Sequence, residues 1–368
     1  MPHVISPSPR LRRSAFYDAT VADGVVSFTT YNHMLMPTGY GDPDVEYDRL
    51  INGVAMWDVS VERQVELAGP DAGALAQALT PRKLADMPIG QGWYVAVCDH
   101  RGTLINDPIL LKLAEDRYWF SIADSDLLLW ARSIAGERGL KVNIFEPDVS
   151  PLAVQGPKAE DTIAALYGDW VRDIKYFEVR PVDDDIPVML ARSGWSKQGG
   201  FEIYLMDSAR GVELWDRVRE AGKPWNIGPG NPNPWERVES GLLSWGGDTD
   251  DETNPFEVRM TRFVDLDAPD DVIGIDALRR IKADGPRRWQ LGVHLDMPGR
   301  IPAQDQNSEI RVGADLMGHI TAHAWSPRLG HNIGLCLVSR DLKPGDKVEV
   351  RLPDGRAVDG EMCKLPFL

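Results

Sequence analysis

The chain has 368 residues, 43% of them hydrophobic, which is enough for two or three domains with cores of their own. Its formal net charge is -16, and no stripe of lysine and arginine offsets it, so an ordinary nucleic-acid binder with a basic face is excluded. No stretch approaches about 18 uninterrupted apolar residues, and no apolar run follows the arginines near the N-terminus. Neither a membrane span nor a secretory signal is therefore predicted.

The three cysteines are Cys98, Cys336 and Cys363, which lie far apart and form no paired motif. This arrangement suits a reducing compartment better than a disulfide scaffold or a thiolate metal site. We expect a cytoplasmic protein.

Helices and strands alternate through the first part of the chain. Apolar spacing predicts helices over residues 71–80 and 125–136, and strands over 93–99, 104–113 and 141–145. Together these elements predict helices packed on an antiparallel sheet over residues 51–147.

Asp107 interrupts the apolar strand predicted over residues 104–113, within the sequence Asn106-Asp107-Pro108. Asn-Asp-Pro normally forms turns, and an acidic group in such a strand must be solvated, hydrogen-bonded or placed on a cavity wall. Two interpretations stay open: a bulge with a satisfied carboxylate, or a carboxylate that points into a pocket.

The segment from Arg192 to Tyr204 is the most informative part of the chain. Strands predicted over residues 188–192 and 201–205 flank a glycine-rich loop. Because side chains alternate along a strand, Glu202 and Tyr204 share one face. A carboxylate beside a phenol suits a flat, nitrogen-rich heterocycle, since the carboxylate accepts two parallel N–H bonds. An exposed strand face is the alternative.

The second half predicts helices over residues 159–167, 211–221, 234–245 and 275–283, and strands over 152–155, 289–294, 318–324, 333–338, 347–352 and 357–364. The pattern of the last segment, about 85 residues long, therefore predicts a small β-barrel or sandwich. His319 and His323 lie four residues apart on one predicted strand, where side chains so spaced stand about 13 Å apart. No metal site is expected.

Several of these segments together resemble the glycine-cleavage T-protein (aminomethyltransferase) family. The likeness is carried by Trp57-Asp58-Val59-Ser60, Gln155-Gly156-Pro157, Gly200-Phe201-Glu202-Ile203, Arg237-Val238-Glu239-Ser240-Gly241 and Gly318-His319-Ile320-Thr321. Within the family the chain is most similar to the branch that demethylates dimethylsulfoniopropionate. Two segments depart from that branch: Trp245-Gly246-Gly247-Asp248, and Val258-Arg259-Met260, which stands in place of Cys-Gly-Leu.

The resemblance implies an α+β fold, a three-domain cloverleaf around a central folate channel with a C-terminal β-barrel. It implies a discontinuous first domain over residues 1–50 and 148–274 that binds folate. Residues 51–147 would form the second domain, an α/β sandwich, and residues 275–368 the barrel domain.

The implied activity moves a methyl group from dimethylsulfoniopropionate, or a similar sulfonium, to N5 of tetrahydrofolate. The partners would be these two small molecules, with a homodimer as a further expectation, and no metal. Asp107 would lie near N5, and Glu202 would hold the pterin. Further folate contacts are expected from Tyr94, Tyr204 and Arg237, and donor contacts from Trp195, Tyr31 and His33.

Three other functions stay open. The donor could instead be a quaternary or N-methyl amine or an aryl methyl ether. The chain could be a non-catalytic folate-binding regulatory protein, or an aminomethyltransferase that acts on a lipoyl carrier. The group that would pair with the donor's carboxylate also stays open among Arg192, Lys197, Arg259 and His33.

Overall fold

The computed structural model describes residues 8–302 and 306–368. Its helices, in chain order, are α1 (Tyr17–Ala22), α2 (Pro43–Asn52), α3 (Ala72–Leu79), α4 (Leu127–Arg138), α5 (Ala159–Tyr167), α6 (Gly211–Gly222), α7 (Pro234–Ser240) and α8 (Ile275–Asp284).

The strands of the first part of the chain are β1 (Ser27–Tyr31), β2 (Met34–Gly39), β3 (Ala55–Asp58), β4 (Gln64–Ala68), β5 (Gln91–Tyr94), β6 (Val97–Cys98), β7 (Leu104–Asn106), β8 (Ile109–Ala114), β9 (Arg117–Ser121) and β10 (Asn143–Phe145).

The later strands are β11 (Ser150–Gln155), β12 (Val179–Pro181), β13 (Val188–Ala191), β14 (Gly200–Leu205), β15 (Gly228–Gly230), β16 (Arg288–Asp296), β17 (Ser308–Val312), β18 (Asp315–Ser326), β19 (His331–Ser339), β20 (Lys347–Arg351) and β21 (Ala357–Cys363).

A six-stranded sheet forms the centre of the first domain, in the order β12-β13-β14-β11-β3-β15. Strand β14 lies inside this sheet, with β13 and β11 antiparallel on its two sides. Phe201 and Ile203 pack into the core with Ile163 of α5 and Leu214 of α6. Because side chains alternate, the opposite face of β14 points away from these helices.

The second sheet has five strands in the order β10-β4-β9-β8-β5. Leu75 and Leu79 of α3 and Ile134 of α4 pack with Val65 and Phe120 of this sheet. Helices on one face of an antiparallel sheet are what the apolar spacing predicts for this region.

The strand pairing changes the predicted boundary at residue 51 in one respect. Residues 55–58 fall within the predicted second domain, but they form strand β3, which pairs with β11 and so extends the six-stranded sheet. Its four residues are all buried, as two-sided coverage of an inner strand requires. We therefore propose the predicted three-domain division with β3 moved to the first domain.

The C-terminal strands close into a barrel in the order β16-β19-β18-β17-β20-β21. Its interior includes Val293, Ile320, Val338, Val350 and Met362, all buried. His319 and His323 both lie on β18, as the strand prediction requires. The predicted α+β class with a C-terminal barrel is confirmed.

Two predicted elements are shorter in the structure. The strand expected over residues 104–113 is two strands, β7 and β8, which are separated at Asp107 and Pro108 because proline lacks the N–H that a continuous ladder needs. The helix expected over 234–245 ends at Ser240, because Gly241 adopts a left-handed φ of 63° and stops it. Within residues 8–302 and 306–368, no helix is long and apolar enough to cross a membrane.

Candidate active site

Glu202 is a buried carboxylate on the inner strand β14. Its Oε2 accepts a hydrogen bond from the Ser193 hydroxyl at 2.5 Å and another from the Tyr204 hydroxyl at 3.0 Å. Its Oε1 accepts none from the residues that the structure describes. Burial raises the pKa of Glu202, and the hydrogen bonds from Ser193 and Tyr204 partly oppose that rise. The predicted pairing of Glu202 and Tyr204 on one strand face is confirmed, and one carboxylate oxygen stays available to a ligand.

The glycine-rich loop before β14 is folded tightly over Gln155. The Gln155 amide donates to the Ser193 carbonyl at 3.0 Å and its oxygen accepts from Ser196 at 2.8 Å. Gly194 has a φ of 146°, and a Cβ there would lie 2.0 Å from the Gln155 amide nitrogen. Only glycine fits at this position, so the loop holds Ser193 against Glu202 through backbone shape.

Asp107 lies in the break between β7 and β8. Its Oδ2 accepts a hydrogen bond of 2.6 Å from the Tyr94 hydroxyl, whereas its Oδ1 is buried without a hydrogen bond among the described residues. Burial raises the pKa of Asp107 to about 6. Of the two interpretations of Asn106-Asp107-Pro108, the structure disfavours the bulge with a satisfied carboxylate, because Oδ1 is buried and has no hydrogen-bond partner among the described residues.

Asn106 fixes the backbone on which Asp107 sits. Its side-chain amide donates to the Ala123 carbonyl at 3.0 Å and to the Ser125 hydroxyl at 2.7 Å, and its oxygen accepts from the Ala123 N–H at 3.0 Å. Such a complete set of partners holds the break in one conformation.

Tyr94 and Tyr31 both approach Asp107. Tyr94 ends β5, and its ring meets Phe263 edge-on at 5.1 Å. Burial and the neighbouring Asp107 raise the pKa of Tyr94. Burial also raises the pKa of Tyr31, and the negative charges of Glu62, Asp107 and Asp124 raise it further. The two phenols therefore stay protonated and can donate hydrogen bonds.

Glu62 is a third acid of the same site, and the sequence interpretation missed it. Burial raises the pKa of Glu62, and repulsion from Glu202 and Asp107 raises it further. Glu62 thus joins the two carboxylates that the sequence selected. It lies in a turn between β3 and β4, where a lone acidic residue carries no periodic signal.

Trp195 and Arg237 lie next to each other, beside the loop 241–250. The Trp195 indole N–H donates to the Leu243 carbonyl at 3.1 Å, and the Arg237 guanidinium lies 5.8 Å from the Trp195 ring. Arg237 is paired with the buried Asp248 at 2.5 Å. Asp248 also accepts a hydrogen bond from the Thr321 hydroxyl at 2.5 Å, and this bond connects the loop 241–250 to the barrel. This leaves the Arg237 charge already balanced within the protein.

His33 lies apart from these groups. It occupies the turn between β1 and β2 at a φ of 62°, its side chain is 65% exposed, and its Nε2 is 3.8 Å from an oxygen of Asp126. The neighbouring Asn32 is buried and bonds the Val61 carbonyl at 2.9 Å. The turn thus presents Tyr31 to the site and His33 to solvent.

The other candidate partners for a donor carboxylate differ in their surroundings. Arg192 is paired with Glu160 at 2.6 Å, and the side chain of Lys197 is exposed. Arg259 interacts electrostatically with Tyr94 and Asp248. Of these three cations, Arg259 is the one that interacts electrostatically with Tyr94, whose hydroxyl donates to Asp107. Within residues 8–302 and 306–368, no cluster of three or more histidine, cysteine or acidic side chains could hold a metal ion.

Comparison with known proteins covers almost the whole chain. Residues 16–268 match the family model of the GCVT N-terminal domain, and residues 288–368 match that of the glycine cleavage T-protein C-terminal barrel domain.

Two curated relatives show the range of similarity. The chain is 43% identical over 353 residues to the dimethylsulfoniopropionate demethylase of Ruegeria pomeroyi, covering 95% of this chain and 96% of that protein. It is 28% identical over 341 residues to an aminomethyltransferase of Thermotoga maritima, covering 90% and 91%.

A solved structure shares the fold. The glycine cleavage system aminomethyltransferase T of Bartonella henselae superposes with a TM-score of 0.86 at 21% sequence identity, covering 97% of this chain and 98% of that one.

Proposed function

Because the chain belongs to the glycine-cleavage T-protein family, we propose that it is a tetrahydrofolate-dependent demethylase that moves a methyl group from dimethylsulfoniopropionate to N5 of tetrahydrofolate. The observation that carries the proposal is a set of buried acids: Glu62 interacts electrostatically with both Asp107 and Glu202, and each of these two keeps an oxygen that no described residue uses. The choice of donor is supported by the relative from Ruegeria pomeroyi.

Glu202 is suited to hold the pterin. Its Oε2 is fixed by Ser193 and Tyr204, so Oε1 is presented in one orientation to N–H donors of a ligand. A pterin edge carries such donors at N3 and the exocyclic amino group. Charge-assisted hydrogen bonds of this kind contribute about 1.5–3 kcal/mol each.

Asp107 is suited to the proton that leaves N5. Bound tetrahydrofolate would supply the N5 lone pair that forms the new N–CH₃ bond. The S–CH₃ bond breaks with its electron pair staying on sulfur, which leaves a neutral thioether and needs no acid. Asp107, with a pKa of about 6, is ionised near neutral pH, so its Oδ1 can accept the N5 proton.

The site is also suited to a cation. Glu62 interacts electrostatically with Asp107 and Glu202, and Tyr31 interacts with Glu62 and Asp107. Trp195 follows two residues after Ser193, which bonds Glu202. Cations gain about 0.5–2 kcal/mol over an aromatic face, depending on desolvation. Holding the sulfonium in line with N5 would supply most of the acceleration, up to about 7–11 kcal/mol.

We also propose a cytoplasmic location and a homodimer for this chain. Three free thiols, at Cys98, Cys336 and Cys363, suit a reducing compartment. Light scattering after size-exclusion chromatography would measure the mass of the particle and test the dimer.

A product assay tests the proposed function. The purified chain is incubated with tetrahydrofolate and dimethylsulfoniopropionate whose methyl groups are deuterated, and the folates are separated by mass spectrometry. We expect 5-methyltetrahydrofolate that carries the label, together with 3-(methylthio)propionate. If no labelled folate formed, dimethylsulfoniopropionate would be rejected as the methyl donor.

A donor panel completes that assay. Glycine betaine, sarcosine and an aryl methyl ether are offered in place of the sulfonium. If only one of these compounds gave labelled folate, that compound would be assigned as the methyl donor. Folate binding without turnover on any donor would indicate a regulatory protein.

A further inference from the structure

Arg259 has a backbone conformation that its residue type disfavours. Its φ is 64°, in the left-handed region that glycine adopts freely and that a long side chain occupies only under constraint. Its neighbours Val258 and Met260 are buried, so the segment is fixed on both sides. Residues held in such a conformation concentrate at sites where the side chain has a function.

The guanidinium of Arg259 is only partly used by the protein. Its Nε donates to the Gln290 side-chain oxygen at 2.9 Å, and its Nη2 donates to the Gly241 carbonyl. Its Nη1 donates to no residue in the described parts of the chain. These two bonds leave one edge of the planar group free, and such an edge matches a carboxylate.

The solvent exposure of Arg259 decides whether a ligand can reach its free edge. Arg259 is exposed, yet burial by the surrounding protein lowers the pKa of its guanidinium. The free edge of Arg259 can therefore be reached by a small molecule.

The position of Arg259 is beside the Asp107 end of the site. Met260, the next residue, places its Sδ 4.0 Å from the Tyr94 hydroxyl, which donates to Asp107. Arg259 also interacts electrostatically with Tyr94 and with Asp248. It therefore borders the region where the methyl group would be transferred.

Of the other cations near the site, two are in ion pairs, whereas Arg82 and Arg262 lie over aromatic rings, Arg262 over Phe263 at 4.6 Å. Arg237 is balanced by Asp248, and Arg192 by Glu160. Arg82 stacks on Trp93 at 4.3 Å, and its Nη1 donates to the Tyr94 carbonyl.

We propose that Arg259 binds the carboxylate of the methyl donor and so selects donors that carry both a methylated cation and an anion; this rests on the proposed function. Dimethylsulfoniopropionate has its sulfonium and its carboxylate two carbons apart. The acidic and aromatic groups would face the sulfonium, and the free edge of Arg259 would face the carboxylate. The glutamyl tail of tetrahydrofolate also has carboxylates, but they lie far from N5, whereas Arg259 lies beside the Tyr94 and Asp107 pair.

Substitutions at this position can remove the charge without harming the fold. Arg259→Gly and Arg259→Asn both tolerate the left-handed backbone and are neutral. We expect Arg259→Gly to fold, because relief of the left-handed backbone offsets part of the loss of the two hydrogen bonds, and thermal denaturation checks this. Arg259→Lys keeps a charge, and Arg192→Gln is a matched control that removes an arginine elsewhere.

Steady-state kinetics then test the role. We expect Arg259→Gly and Arg259→Asn to raise KM for dimethylsulfoniopropionate by roughly 10- to 100-fold, with kcat within about threefold. For dimethylpropylsulfonium, which lacks the carboxylate, wild type and variants should agree within about twofold, and Arg259→Lys should recover part of the loss. Equal KM values for dimethylsulfoniopropionate in wild type and Arg259→Gly would overturn the proposal.

Two binding measurements separate this proposal from its rivals. Calorimetry with 3-(methylthio)propionate needs no turnover: weaker binding to Arg259→Gly supports the role of Arg259 even if the methyl transfer assay fails, and absence of binding to wild type overturns it. Tetrahydropteroate, which lacks the glutamyl tail, is compared with tetrahydrofolate. A loss in Arg259→Gly confined to tetrahydrofolate would assign Arg259 to the folate tail and overturn the donor assignment.

Discussion

The two sides of the candidate site are built in different ways. The Glu202 side is one inner strand, β14, whose alternation alone sets Glu202 beside Tyr204. The Asp107 side is assembled from separate segments: the end of β5, the break between β7 and β8, and the left-handed residue Arg259. A strand thus fixes a recognition surface locally, whereas the reactive side depends on how distant segments meet.

This difference has a consequence for the energetics of the acids. Glu202 accepts two hydrogen bonds on one oxygen, whereas Asp107 accepts one and keeps a buried oxygen without any. An unpaired buried oxygen destabilises the folded chain, and functional sites commonly accept such a cost. We therefore expect Glu202 to determine binding and Asp107 to determine turnover.

The largest expected effect is on the reactive side. Asp107→Asn keeps the shape of the side chain but cannot accept the N5 proton. We expect kcat to fall by roughly 10²–10⁴-fold, with the Kd for tetrahydrofolate changed less than about threefold. Single-turnover kinetics and a folate titration measure the two quantities. A fall in folate affinity as large as the fall in kcat would remove the contrast between the two sides.

The binding side should show the opposite pattern. Glu202→Gln replaces one acceptor oxygen by a donor, and we expect roughly 10- to 100-fold weaker tetrahydrofolate binding, with KM for the donor within about threefold. Fluorescence titration measures the affinity for tetrahydrofolate. Ser193→Ala is the control, because it removes a bond to Oε2 and leaves Oε1 in place, so its loss should be smaller. Equal losses in both variants would contradict a direct pterin contact.

The stability of the reactive side should depend on pH. A carboxyl group whose pKa is raised on folding binds its proton more tightly in the folded chain, so wild-type stability increases as pH falls from about 6 towards 4. Asp107→Asn should therefore be more stable than wild type by roughly 1–3 kcal/mol at pH 8, and the difference should vanish near pH 4. Urea denaturation without folate measures this, and a constant difference at both pH values would be inconsistent with a raised pKa.

The hydrogen bond from Tyr94 should lower the pKa of Asp107. The acid limb of kcat/KM reports the ionisation of Asp107, with a midpoint at pH about 6. The Tyr94 hydroxyl stabilises the charged form, so Tyr94→Phe should move this midpoint to higher pH by up to about one unit. A pH series on both proteins measures it, and a shift to lower pH would show that Tyr94 does not act through this hydrogen bond.

The smallest effect is expected at the surface turn. His33 was predicted as a donor contact, yet its side chain is 65% exposed. We expect His33→Ala to change KM for the donor by less than about twofold, whereas Tyr31→Phe should change it more. A large effect of His33→Ala would mean that the turn folds over the bound donor.

Much of the site could be predicted from the sequence because it lies in local patterns. The shared face of Glu202 and Tyr204 follows from the two-residue period of a strand, and Asp107 stands out as an acid in an apolar run. The resemblance to the glycine-cleavage T-protein family is confirmed by matches to both of its domain models. The roles of Trp195 and Arg237 stay predictions.

Other features needed the folded chain. Nothing in the sequence distinguishes Glu62 from other turn residues. Its interaction with Glu202 arises only when the chain folds and β4 and β14 take their places. The pairing of Arg237 with Asp248 depends on the loop 241–250 that turns back after α7. The pairing of β3 with β11 also needed the folded chain, because the four residues of β3 carry no sign of which neighbour they pair with.

The sequence by itself determined which residues form the helices, the strands and the recognition face, since these follow from side-chain period and backbone preference over a few residues. Only the tertiary structure decided which acids meet and which cations are already paired. It also decided which arginine keeps a free edge and interacts with Tyr94. Those properties depend on distances between segments far apart in the chain, and no local pattern encodes such distances.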